Sequence, residues 1–238
     1  MTKRLYWPGA AGVGSGVIML TAVIILDNNT PDDTGKRGLT RTLSFYLKDS
    51  NLDLLEATTL LLLASCVLFL FFLGALTRVA GKRSQLVLAG GIAFAVLVMA
   101  AGLISGIFAI SAKYDDTFLV IPGTALLAML LIDLAYGALI GAMGAAAVLL
   151  FAMWRVSRTT DALPQWLGWP ALIIALGSLA GPFTAWITPL LMAVWTLAAG
   201  LLLALRPPAA AAERPITAPA EPSMAPTEPP RVPSGPRA

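Results

Sequence analysis

The fold class this chain predicts is an all-α, polytopic membrane bundle, and three observations predict it. Of its 238 residues, 58% are hydrophobic and only 12% charged, against roughly 25% charged in a soluble domain. The mean hydropathy is +0.81. From Thr117 to Trp154 the chain runs for 38 positions with one formal charge, Asp133. A bilayer's hydrocarbon core takes about 20 apolar residues per helix, so this stretch is too long for one straight span and too short for two with a turn. It divides into a lead-in segment, 118–129, broken by Pro122-Gly123, and a transmembrane helix over 130–154.

Taken in order, Lys3, Arg4, Tyr6 and Trp7 form a basic end with interfacial aromatics ahead of a first span at 9–26. A signal peptide is the rival reading of that start. The run ends Val-Ile-Ile-Leu-Asp without a small-x-small cleavage site, which favours an uncleaved helix. Residues 27–53 make the one long polar loop. Within it, Leu39, Leu43, Tyr46 and Leu47 recur at helical spacing and predict a short surface helix over 38–48. Asn28-Asn29-Thr30 matches a glycosylation sequon, a short pattern that recurs by chance. A second span follows at 54–76, with Glu56 in its first turn, where a carboxylate suits the helix dipole. A basic loop with Arg78, Lys82 and Arg83 leads to a third span at 86–110. After the fourth span, 130–154, Trp166 and Trp169 open a fifth at 166–183, and Trp186 opens a sixth at 186–205.

Loop charge sets the orientation. With the N-terminus inside, Lys3 and Arg4, then Arg78, Lys82 and Arg83, then Arg155 and Arg158, and finally the segment from Arg206 all lie on the cytoplasmic side. The short outer loops hold one basic residue, Lys113, as the positive-inside rule requires. Both ends are then cytoplasmic, and the overall charge of +3 is loop bias, with no basic–aromatic patch that points to nucleic acid. Residues 207–238 are of another kind: ten of the 32 are proline, among Ala, Glu, Ser and Thr. Such a segment cannot bury enough apolar surface to offset its ordering entropy, and a disordered, proline-rich cytoplasmic tail is expected. Its PxxP spacings follow from composition alone.

The chemistry is mostly exclusion. Zero histidines remove His-ligated metals, bis-His haem and His-dependent catalytic dyads. Cys66, the single cysteine, lies in an apolar run and forms no intrachain disulfide. No phosphate loop or dinucleotide fingerprint is present. No catalytic residue, cofactor or metal is expected. The candidate polar site is Asp133 with Tyr136, three residues on and on the same helical face. An ionised side chain at mid-membrane costs about 2.5–3.5 kcal/mol on insertion scales. Asp133 is therefore either an interfacial acid in a helix's first turn or, if the helix begins near Phe118, a deep carboxylate that needs a partner. Candidate helix-packing residues come in pairs four apart: Gly12 and Gly16, Gly102 and Gly106, Gly137 and Gly141, Gly177 and Gly181. That spacing lets helices approach closely. Packing within the chain explains them without a homo-oligomer, which stays open.

Four stretches carry a resemblance: Phe45-Tyr46 in the polar loop, Leu-Gly-Ala-Leu-x-Arg at 73–78, Asp133-Leu-Ala-Tyr136-Gly137, and Leu163-Pro-Gln-Trp-Leu-Gly-Trp169. In this order the chain resembles the uncharacterised six-helix integral membrane proteins of actinobacteria, over about 9–205 and not in the tail. The resemblance implies a plasma-membrane location and a high-GC bacterial source, and it carries over no activity. The expected function is a non-enzymatic accessory or scaffold membrane protein, whose partners are the lipid bilayer and another membrane protein. The alternative is a small transporter or proton-coupled permease using Asp133, since three plus three spans would set two halves in opposite orientation.

Overall fold

The computed structural model describes residues 6–29, 38–115, 117–159, 163–184 and 187–205. The sequon's Thr30, Trp186, Arg206 and the tail at 207–238 lie outside them. Among the described residues the chain is all-α, in seven helices: α1 Trp7–Asn29, α2 Gly38–Tyr46, α3 Asp49–Ala80, α4 Ser84–Tyr114, α5 Pro122–Thr159, α6 Gln165–Leu179 and α7 Thr188–Leu205. Four helical stretches are long and apolar enough to cross a membrane: α1, the run Asp49–Tyr114 that holds both α3 and α4, α5, and α7. α6 is equally apolar but has 15 residues. At 1.5 Å per residue it is about 22 Å long, short of a hydrocarbon core of about 30 Å.

The six longer helices pack each against its neighbours in chain order, and α1 closes the ring on α7. Every seam is antiparallel. Gly12 faces Phe72 and Ser15 faces Ser65 between α1 and α3; Gly91 faces Leu73 and Gly102 faces Leu62 between α3 and α4. Gly90 faces Leu149 and Gly141 faces Leu97 between α4 and α5, and Gly168 faces Ser157 between α5 and α6. Between α6 and α7, the most lightly packed seam, the Trp195 indole donates to the Leu167 carbonyl at 3.3 Å. Between α7 and α1, Gly16 lies against Leu197, and Gly200 against Gly12 and Val13. The main core is built of large side chains, with Phe69 edge-on to Phe94 at 5.2 Å and Phe72, Leu76, Leu149 and Met153 fully enclosed.

One helix departs from expectation. Pro122-Gly123 does not break the lead-in segment over 118–129; Pro122 is the first residue of the helix that also holds 130–154. Proline suits the first helical position, where its missing N–H costs nothing. The Thr124 hydroxyl accepts the Ile121 N–H at 2.9 Å, closing that end as a capping group does. α5 is therefore one 38-residue helix, about 57 Å long, and the lead-in segment is part of it. The α3–α4 link is likewise shorter than the loop expected over 77–85: a single 3-10 turn, Gly81–Arg83, with Gly81 at φ 55°.

The short helix of the polar loop is present as α2. Of the expected row, Tyr46 is buried, Leu39 and Leu43 are half-buried and Leu47 is exposed; Gly38 and Thr42 complete the inner face. α2 packs on α5 and α3. With Leu52, Leu55, Phe108 and Ala128, Tyr46 forms a second apolar cluster separate from the main core. Its aromatic contacts are Tyr46–Phe108 at 4.5 Å and Phe108–Phe118 at 5.1 Å. This cluster caps one end of the ring, the α2 end. The opposite end carries Arg78, Lys82, Arg83, Arg155 and Arg158 and is the basic end.

Candidate functional site

α5 places Asp133 three turns in from Pro122, and the side chain is exposed on the outside of the ring. It forms no ion pair or hydrogen bond among the described residues. Tyr136 is also exposed, but its hydroxyl donates to the Pro182 carbonyl at 3.1 Å, in the turn joining α6 to α7. The hydrogen bond from Tyr136 to Asp133 that their spacing allows is therefore not formed. With the helix starting at Pro122, Asp133 is not in a first turn.

The glycine positions separate in the same way. Gly12, Gly16, Gly102 and Gly106 are close-approach points: an added Cβ would lie 2.5 Å from the Phe72 ring at Gly12 and 2.7 Å from the Leu197 backbone nitrogen at Gly16. It would lie 3.3 Å from Leu62 at Gly102 and collide with Thr59 at Gly106. Gly141 and Gly177 have ordinary contact distances of 3.5 and 3.7 Å. Gly137 and Gly181 are not packing residues, because nothing lies within 4 Å of a Cβ at either. Gly137 faces outward, and Gly181, at φ 60°, ends α6 in a conformation glycine adopts freely. Gly9, Gly90 and Gly200 are further backbone contacts that the four-residue pairing rule misses.

Glu56 does more than complement a helix dipole. Lys113 bridges Glu56 at 2.6 Å and Asp53 at 2.7 Å, and the Tyr114 hydroxyl donates to Glu56 at 2.9 Å. This group ties α3 to α4 at the α2 end. The hydrogen bond to Asp53, then that to Glu56, raises the Lys113 ammonium above the ordinary lysine value.

The ring encloses a cavity of about 180 Å³ between the main core and the α2-end cluster. Met19, Val23 and Leu26 come from α1, Leu55 and Leu62 from α3, Phe94 and Val98 from α4, Ala135 and Met143 from α5, and Pro189 from α7. Tyr46 of α2 lies on the capping side. The only polar side chains in the lining are Tyr46, Ser105 and Tyr136. Ser105 donates to the Gly102 carbonyl at 2.9 Å, and Tyr136 is engaged with Pro182. Burial pushes the Tyr46 phenol up to about 12, so it stays neutral at physiological pH. Tyr136 is the one exposed lining residue and marks the mouth. Asp133 is not part of the wall. An apolar cavity of about 150 Å³ stays dry and binds small apolar molecules, so this one can recognise hydrocarbon by shape and dispersion. The wall holds no acid–base pair or charge. Nothing in the local sequence announces the cavity, because its wall uses the same residues as the core.

No family model matches this chain, and neither a curated protein nor a solved structure is found to be similar to it.

Proposed function

We propose that this chain is a non-enzymatic accessory protein of the plasma membrane that crosses the bilayer six times, has both ends in the cytoplasm, and takes the end of a lipid hydrocarbon chain into its central cavity. The observation that carries this reading is the cavity itself, walled by α1, α3, α4, α5 and α7, capped by α2 and lined with apolar side chains. Ion coupling through Asp133 would want that carboxylate in the wall, and its exposed position outside the ring speaks against the permease reading. The charge distribution supports the orientation. The described carboxylates Asp27, Asp49, Asp53, Glu56 and Asp115 belong to the α2 end, and Asp133 lies in the half of α5 nearer that end. The basic end carries five cations and, among the described residues, no acid, which suits a cytoplasmic face. Exposed Trp7, Trp166 and Trp169 at the same end suit the interface. The close-packing glycines of α1 and α4 are used inside the chain, so a partner protein would meet Gly137 on the outside of α5 or the segment at 207–238.

The test is lipid extraction from full-length protein purified in mild detergent. Wild type should carry apolar lipid at near-equal molar amount, and Ala135→Trp, which fills the cavity, should purify folded without it. Lipid-free wild type, or equal lipid in both, would sink the ligand reading. A reporter fused after Leu205 should score cytoplasmic; a periplasmic score would overturn the orientation.

A further inference from the structure

A second hollow lies on the membrane-facing side of α5, flanked by α4 and α6, with a volume of about 500 Å³. This is within the range of ligand sites generally. Its basic-end rim is Arg83 and Arg155, and its floor and walls are apolar: Leu86, Val148, Phe151 and Leu176. Arg83 is held in place by hydrogen bonds from one guanidinium nitrogen to the Arg155 carbonyl at 3.2 Å and the Thr159 hydroxyl at 2.9 Å. A guanidinium has five N–H donors. Those remaining on Arg83 make no bond among the described residues, and neither does the Arg155 side chain. The rim is thus one anchored cation, Arg83, beside the exposed Arg155, with no described carboxylate at that end of the bundle to neutralise them. Asp161, the nearest acid in sequence at this end, lies outside the described residues.

We infer that this groove binds an anionic glycerophospholipid, its phosphate between Arg83 and Arg155 and an acyl chain along Val148, Phe151 and Leu176. The inference goes beyond the proposed function: it concerns a different site, and it needs only that the bundle lies in a membrane, in either orientation. Both halves of the ligand are matched. Guanidinium groups pair with phosphate oxygens in bidentate geometry, and basic pockets between helices at a membrane surface select anionic headgroups. The apolar floor gives the chain a bed that a soluble anion would not use.

The experiment is native mass spectrometry of the full-length protein, titrated with dioleoyl phosphatidylglycerol, dioleoyl phosphatidylcholine or inorganic phosphate. Phosphatidylglycerol should bind roughly twenty- to thirtyfold more tightly than phosphatidylcholine, and inorganic phosphate should neither bind comparably nor compete. Arg155→Gln, which leaves the Arg155 carbonyl bond to Arg83 intact, should remove most of that preference. Lys82→Gln and Arg158→Gln, which remove equal charge from the same end but outside the groove, should keep it. Val148→Trp, which blocks the bed and leaves both arginines, should weaken both lipids. Equal binding of the two lipids, an equal loss in the Lys82 and Arg158 variants, binding indifferent to Val148→Trp, or phosphate binding as well as phosphatidylglycerol would each overturn the site. None of these outcomes depends on what the central cavity holds.

Discussion

At Gly16 a methyl group would sit 2.7 Å from the Leu197 backbone nitrogen and 2.9 Å from the Ala193 carbonyl oxygen, and backbone cannot move aside cheaply. Gly16→Ala should therefore destabilise the protein by about 1–3 kcal/mol, the range for overpacking a close contact. Gly137→Ala should be neutral or stabilise by up to about 1 kcal/mol, because helix propensity improves and nothing is in the way. Thermal unfolding in detergent checks both, and the opposite order of the two variants would refute this assignment of seams. Both glycines occupy the same small-xxx-small pattern, so spacing marked candidates without saying which face meets another helix. Ser15 and Ser65 show a similar limit. Each donates to the other's backbone carbonyl, at 2.9 and 3.1 Å, in a buried reciprocal clamp between α1 and α3. Two serines fifty residues apart advertise nothing locally. A double-mutant cycle to alanine should give a coupling of about 0.6 kcal/mol, the average for hydrogen bonds between membrane helices. A coupling indistinguishable from zero would reduce the clamp to coincidence.

Among the elements, the long apolar helices were legible because their length and hydrophobicity are local properties, and the observed helices contain most of each expected span. The start of α5 was misjudged because Pro122 has two readings, breaker or first residue, and only the Thr124 hydroxyl on the Ile121 N–H decides between them. Of the α2 residues read at helical spacing, Tyr46 is buried in the apolar cluster, whereas the buried Gly38 and Thr42 were missed because neither is hydrophobic. The elements at the α2 end also carry a pH prediction. Lys113 is raised by its bonds to Asp53 and Glu56, so its contribution is complete below the ordinary lysine value and is lost only as pH rises through the higher folded value. Asp115 is lowered, first by the Thr117 hydroxyl and then by its N–H, so its contribution is present above the ordinary aspartate value and is lost as pH falls through the lower folded value. Neither window falls between about pH 6 and about pH 9, and there are no histidines to titrate there. The unfolding temperature should be flat across that interval. A step near pH 6 or 7 would expose a titrating group that these side chains do not supply.

For the whole molecule, the ring leaves few direct contacts across its middle, and the space there is hydrocarbon-lined. Stripping lipid from the purified wild type should lower its unfolding temperature, and adding lipid back should restore it, because a ligand that binds only the folded state stabilises it by mass action. Ala135→Trp should respond to neither treatment; a matching response in wild type and variant would assign the effect to bulk detergent. Charge asymmetry was readable at this scale from loops alone. The cavity was not, since it arises where six helices fail to meet.

The seam between α1 and α7 has a consequence for how the protein is made. Gly12 of α1 and Gly200 of α7 are partners across most of the chain's length, so the ribosome delivers one long before the other. Until α7 arrives, the glycine-lined flank of α1 has only lipid, or an insertion chaperone, against it. The ring can close only as its last helix enters the membrane, and a chain stalled before Thr188 would present that open flank as a mark of incompleteness to quality-control proteases.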